Sequence, residues 1–195
     1  MAIVAKLGGS LASAGTLRSW LAVAIERGAG RCVIVPGGGA FADVVRAAQE
    51  RYRFSDGAAH RMALLAMEQY ALLLRDLAPA LRPCESVAQI RAALAGAGVA
   101  LWLPYTMVDA DPAVAESWDG TSDSLAAWLA RRIAATRLVL VKSAAAPPPP
   151  LSPERLAALG LVDPAFPAYA AGGGFAVTYC GPGDEARLAN EIGLG

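Results

Sequence analysis

The sequence predicts an α/β fold built on a parallel sheet, and three observations carry that expectation. First, Ile3-Val4-Ala5-Lys6-Leu7 and Arg31-Cys32-Val33-Ile34-Val35 are short apolar runs without alternation. Strands with one wet face alternate apolar and polar residues, so runs of this kind belong to strands covered on both faces. Second, each run ends in glycines, Gly8-Gly9 and Gly37-Gly38-Gly39. Third, each glycine turn precedes apolar residues at helical spacing, which are Leu17, Trp20, Leu21, Ala24 and Ile25 after the first and Phe41, Val44, Val45 and Ala48 after the second. A strand, a glycine turn and a helix in repetition is the unit from which parallel sheets are made.

Composition bounds what such a fold does. The chain has 195 residues, 55% hydrophobic and 17% charged, which fits one domain over residues 1–195. Its 17 basic and 17 acidic side chains cancel, so no electrostatic footprint for nucleic acid or an anionic membrane is present. No run reaches the roughly 20 apolar residues of a membrane span. Lys6 and the glycines interrupt the apolar start, so a secretory signal is not expected. Cys32, Cys84 and Cys180 are odd in number and far apart, without the spacing of a disulfide framework or a zinc site. The expectation is a cytoplasmic protein without a metal site of its own, whose cysteines are small core residues.

The remaining elements follow in order. Gly28 and Gly30 stop the first helix. Residues 56–81 read as one long helix in which Met62, Leu65, Ala66, Gln69, Leu72 and Leu73 supply an apolar stripe mixed with polar positions, and Pro83 breaks it. His60, the only histidine, lies on this helix, and nothing in its spacing assigns it a role. Val87, Ile90 and Leu94 mark a shorter helix, and residues 99–103 a third strand that stops at Pro104-Tyr105. A loop with Asp109, Asp111 and Asp119 leads to Thr121-Ser122-Asp123-Ser124, which opens a helix through Ile133. Serine, threonine and aspartate in that place are N-cap chemistry, and Asp123 reads on these grounds as a cap. Residues 138–141 form the fourth strand and run into Lys142-Ser143. Four prolines at 147–150 make a loop, since they lack donors and favour an extended chain. A short helix over 152–159, a segment at Asp163-Pro164-Ala165-Phe166, a strand at Phe175, Val177 and Tyr179, and a helix from Asp184 complete the chain. Large apolar residues such as Met62, Leu65 and Leu72 on alanine-rich helices predict a homo-oligomer with a helical interface.

The clearest functional signal is the use of lysine. Of the 17 basic residues only Lys6 and Lys142 are lysines, and each sits at the C-terminal end of an expected strand. In an open parallel sheet those ends share the edge where ligands bind. Everywhere else the chain uses the planar guanidinium, while a compact ammonium suits a phosphoryl group as a point charge. The turns at Gly8-Gly9-Ser10 and Gly37-Gly38-Gly39 lie on the same edge, where backbone N–H groups approach an anion closely.

Lys6-x-Gly8-Gly9-Ser10, then Pro36-Gly37-Gly38-Gly39, then Thr121-Ser122-Asp123-Ser124-Leu125-Ala126-Ala127 together resemble the amino acid kinase superfamily over residues 1–143. The resemblance implies a three-layer α/β/α sandwich and transfer of the γ-phosphoryl group of ATP, with Mg²⁺, to a carboxylate or phosphate oxygen of a small molecule. It implies that Lys6 stabilises the transferring phosphoryl group, that Asp123 orients the lysine, and that Gly8, Gly9 and Ser10 hold the nucleotide, while the position of Lys142 directly after the fourth strand, on the same edge, makes it the candidate for a second phosphate-facing charge. Gly37, Gly38, Gly39 and Asp119 fall to the acceptor, and homo-oligomers are expected. The chain departs from the family after the fourth strand, where Lys142-Ser143-Ala144-Ala145-Ala146 replaces the usual acidic turn and the nucleotide half is shortened. Phe54-Ser55-Asp56 and the text from Ala59 to Tyr70 look most like a small branch allied to the kinase of methanofuran biosynthesis, which acts on an aminomethylfuran-methyl phosphate. Beside the kinase stand a non-catalytic nucleotide- or oxyanion-binding protein of the same fold and a dinucleotide-binding oxidoreductase. Neither glycine cluster reads G-x-G-x-x-G, which counts against the last.

Overall fold

The computed structural model describes residues 1–193, and in it the two apolar runs pair directly. β1 (Ile3–Leu7) lies parallel to β2 (Cys32–Pro36), with Ile3 opposite Cys32 and Leu7 opposite Pro36, and every residue of both is buried. Four further strands are β3 (Leu81–Cys84), β4 (Val99–Trp102), β5 (Arg137–Val141) and β6 (Ala176–Cys180). The order across the sheet is β3-β4-β2-β1-β5-β6, and every neighbouring pair is parallel. The helices are α1 (Leu17–Gly28), α2 (Gly39–Tyr52), α3 (Asp56–Leu77), α4 (Val87–Ala95), α5 (Tyr105–Asp109), α6 (Ser122–Arg132), α7 (Pro153–Ala158), α8 (Phe166–Ala170) and α9 (Glu185–Gly193).

β3 corrects the expected helix over 56–81. α3 stops at Leu77, and Pro83, expected only to break a helix, sits inside a strand opposite Leu101. A proline is tolerated there because β3 is an edge strand, one side of whose backbone needs no ladder partner. The expected strand over 99–103 ends at Trp102, and α5 forms where the chain was read as a simple stop.

Strand periodicity divides the interior into two layers and the protein into three. Ile3, Ala5 and Leu7 of β1, with Val139 and Val141 of β5, pack against Trp20 of α1 and Leu188 and Ile192 of α9. Val4, Leu138 and Leu140 point the other way, onto Leu125 and Leu129 of α6 and Phe166 of α8. The result is the α/β/α sandwich that the motifs implied. The same alternation aims the lysines, because Lys6 follows Val4 by two residues and Lys142 follows Leu140 by two. Both therefore face α6.

β1 is the pivot of the topology. β2, β4 and β3 lie on one side of it and β5 and β6 on the other, so a crevice opens beyond the C-terminal ends of β1 and β5. Gly8 N donates to Val141 O at 2.9 Å and Gly37 N donates to Leu7 O at 2.9 Å, which carries the ladder into the glycine turns and fixes them at this crevice.

Candidate functional site

Asp123 stands between the two lysines. Its Oδ2 accepts a hydrogen bond from Lys142 Nζ at 2.6 Å, and Lys6 Nζ lies 2.8 Å from Oδ1. Lys6 is the group that faces Oδ1, so each carboxylate oxygen has its own ammonium. Lys6 and Asp123 are 4% exposed at the side chain and Lys142 15%. Burial opposes charge on Asp123, but Lys6 and then Lys142 overrule it and hold the carboxyl below the usual carboxylate range. Burial, and next the neighbouring Lys6, push Lys142 down to about 8, while Asp123 works in the opposite direction. Two ammonium groups share one carboxylate, which leaves an excess positive charge in a desolvated place. Such a charge is costly unless an anion arrives to balance it.

The glycine turns answer a different demand from the one their sequence advertises. A Cβ on Gly9 would lie 2.2 Å from Gly39 N, and one on Gly37 would lie 2.4 Å from Gly9 N. Glycine is thus required because one turn packs backbone to backbone on the other, and Gly39 also has a φ of +53°. Gly38 and Gly39 open α2, whose first N–H groups have no partner inside the helix, the kind of helix start that suits an anion. On the other side of β1, Ser10 Oγ and Ser143 Oγ are 2.7 Å apart and tie the first turn to the end of β5. Tyr179 Oη donates to Ala144 O at 3.0 Å and steadies the following loop.

Next to Ser122, at the start of α6, a cavity of about 360 Å³ extends from the glycine turns. Gly9, Ser10, Gly38 and Gly39 form its near wall. Farther out it is lined by Asp43 and Arg46 of α2, Asp56 and His60 of α3, and Trp118. The Arg46 guanidinium lies 4.4 Å from the centroid of the Trp118 ring, and Trp118 Nε1 donates to Gln49 Oε1 at 2.6 Å. Gln49 Nε2 in turn donates to Asp56 Oδ1 at 2.8 Å. Burial lowers the affinity of the His60 imidazole for a proton, with Glu116 opposing. Asp119 is exposed, and it is its neighbours Trp118 and Gly120 that line the cavity. Of these wall residues Asp56 and His60 fall in the stretches that carry the finer resemblance, whereas Asp43, Arg46 and Trp118 lie outside every motif.

The cap expected of Asp123 is provided by another residue. Thr121 is the N-cap of α6, makes no capping bond with its own side chain, and Asp123 lies inside the first turn. Asp163, from the segment between α7 and α8, takes the capping role. Its Oδ2 accepts from Thr121 N at 2.8 Å, Thr121 Oγ1 at 2.8 Å and Ser124 N at 3.1 Å, and its Oδ1 accepts from Ser124 Oγ. The only sequence signal for it was one acid in an apolar stretch.

The model of the amino acid kinase family matches residues 1–145. A [5-(aminomethyl)furan-3-yl]methyl phosphate kinase of Methanocaldococcus jannaschii is 24% identical over 138 residues, covering 70% of this chain and 63% of that protein. The crystal structure of a uridylate kinase from Archaeoglobus fulgidus superposes with a TM-score of 0.72 at 16% identity, over 98% of this chain and 95% of the other.

Proposed function

The chain belongs to the amino acid kinase family, and we propose that it is an ATP-dependent small-molecule kinase that phosphorylates a phosphate or carboxylate acceptor. The observation that carries this reading is the buried Lys6–Asp123–Lys142 triad with its excess positive charge at the sheet's switch point. An acceptor oxygen attacks the γ-phosphorus, the bond from the γ-phosphorus to the β,γ-bridging oxygen breaks, and ADP leaves with the electron pair. Little covalent chemistry falls to the protein, so positioning and charge neutralisation supply most of the rate. Lys6, buried and aimed by Asp123, faces the transferring group, and Lys142 faces the donor phosphates together with Gly8, Gly9 and Ser10. Gly37, Gly38 and Gly39 hold the acceptor oxygen at the N-terminus of α2, and Asp119, exposed beside the lining residues Trp118 and Gly120, falls to the acceptor.

The donor set fits an anionic nucleotide. Ammonium and N–H groups converge on the crevice, whereas among the described residues no three His, Cys, Asp or Glu side chains gather as a metal site. Mg²⁺, when bound, would enter with the nucleotide and supply charge neutralisation at its phosphates. We read residues 144–193 as a reduced nucleotide half of the single domain.

Among acceptors, the proposal favours a furan-methyl phosphate of methanofuran-type cofactor synthesis, placing the protein in one-carbon metabolism in the cytoplasm. The similarity to the Methanocaldococcus enzyme supports this, as do Asp43 and Asp56 on the outer cavity wall, which suit an ammonium at the end remote from the phosphate. ADP release measured over a panel of carboxylates, nucleoside monophosphates and aminomethylfuran phosphates tests it, with Lys6→Ala as the blank. Nucleotide binding without ADP release above that blank for any acceptor would instead establish a non-catalytic nucleotide- or oxyanion-binding protein.

A further inference from the structure

We propose that Asp163 is a positioning residue that locks the first turn of α6 so that Asp123 is directed at the two lysines. The proposal rests on the kinase reading for its consequence but on geometry for its mechanism. Asp163 is 8% exposed, and its two oxygens gather four donors from two residues, Thr121 and Ser124. Those residues bracket Asp123 in sequence. The first N–H groups of any helix require acceptors, and an aspartate in the first turn is among the residues that ordinarily bend back to supply one. Here the demand at Thr121 and Ser124 is met from outside the helix. The Asp123 carboxylate is released from local capping and remains free to meet Lys6 at 2.8 Å and Lys142 at 2.6 Å.

The lock itself is held from behind. Phe166 N donates to Asp163 O at 3.1 Å, Ala165 N donates to Asp119 O at 2.9 Å, and Phe166 is fully buried against the α6 layer. Asp163 lies past residue 145, where the family match ends. A segment beyond the shared motifs therefore reaches back to set the geometry of the shared site.

The two lysines make the test direct, since lysine-selective isotopic labelling yields only two side-chain ammonium signals. In Asp163→Asn one oxygen becomes an amide that faces donors, and the first turn of α6 is expected to shift. Lys142 loses part of its contact with Asp123, the group that favours its proton, so its signal should titrate at a lower pH than in wild type. In parallel, kcat should fall about tenfold or more with the acceptor KM little changed. A folded Asp163→Asn protein in which Lys142 titrates as in wild type overturns the proposal, and so does a shifted Lys142 titration with unchanged kcat. Should this variant fail to fold, Ser124→Ala removes one donor of the four and must move the Lys142 titration in the same direction, and an unmoved titration again overturns the proposal. If the wild-type protein transfers no phosphoryl group, the titration still decides the positioning role, and it is the kinase reading that falls.

Discussion

The two sides of the β1–β5 crevice are built on different terms. On the α2–α3 side a cavity of about 360 Å³ stands ready, walled by the glycine turns and lined farther out by Arg46, Asp56, His60 and Trp118. On the β5–β6 side, Lys142, the Ser10–Ser143 contact and a proline-rich loop stand at the end of β5. Under the proposed function the first side would recognise shape and charge over a whole small molecule, whereas the second would offer mainly charge to phosphates. Asp123 belongs to both, because each of its oxygens serves a lysine from a different strand.

Removing what the two sides share should have the largest effect. Lys6→Ala is expected to lower kcat by roughly 10²-fold or more, as for the loss of one preorganised donor, with the fold retained. Lys6→Arg should not restore it, since a planar guanidinium replaces a compact ammonium. Asp123→Asn should abolish most turnover and lower Tm together, because it leaves two buried ammonium groups without a counter-charge. Unchanged Tm and turnover in Asp123→Asn would dissolve the triad as a functional unit.

Lys142 tests the donor side alone. Lys142→Ala is expected to raise the KM for ATP or lower kcat about tenfold, which corresponds to roughly 1.4 kcal/mol. Its pH behaviour follows from burial. The folded chain holds this proton only up to about pH 8, while the unfolded chain holds it to its ordinary 10.5. The unfolded state thus binds more protons in that window, and stability of the free protein should rise with pH there. Nucleotide affinity should do the opposite and weaken as pH rises through about 8, because the cation that meets the phosphates is lost. Nucleotide titrations across pH 7 to about 9 check this sign, and a flat profile would place Lys142 outside the phosphate site.

The acceptor side should respond more selectively. Asp56→Asn is expected to raise the acceptor KM several-fold for an amine-bearing acceptor, with the KM for ATP unchanged; equal effects on both would erase the distinction between the two sides. The smallest effect on chemistry is expected at the oligomer surface. Met62, Leu65 and Leu72 are 39%, 44% and 61% exposed, and their apolar area is the motive for the expected homo-oligomer. Light scattering at micromolar concentration should show a species larger than 20.0 kDa, and Leu72→Asp should shift it towards the monomer with turnover little altered.

The sequence by itself determined the strand–glycine–helix frame, the placement of both lysines at strand ends and the helix that begins at Thr121. These are local facts, written in periodicities of two and 3.6 residues and in turn residues that act within their own element. The expected helix over 56–81 overruns its end at Leu77, where Pro79 is a local stop, but that Leu81–Cys84 becomes a strand is decided only by β4 beside it as a partner. Tertiary structure alone decided what Asp123 does. A threonine, a serine and an aspartate before an apolar helix spell a cap, and the cap came from Asp163, 42 residues from Thr121 and 39 from Ser124. It likewise decided that Arg46, Asp56, His60 and Trp118 share one cavity, and that Gly9 needs no side chain because Gly39 occupies its place. Hydrogen-bond demand at a helix start and excluded volume at a turn are set locally, but which distant group meets that demand or fills that volume is settled only when the layers pack.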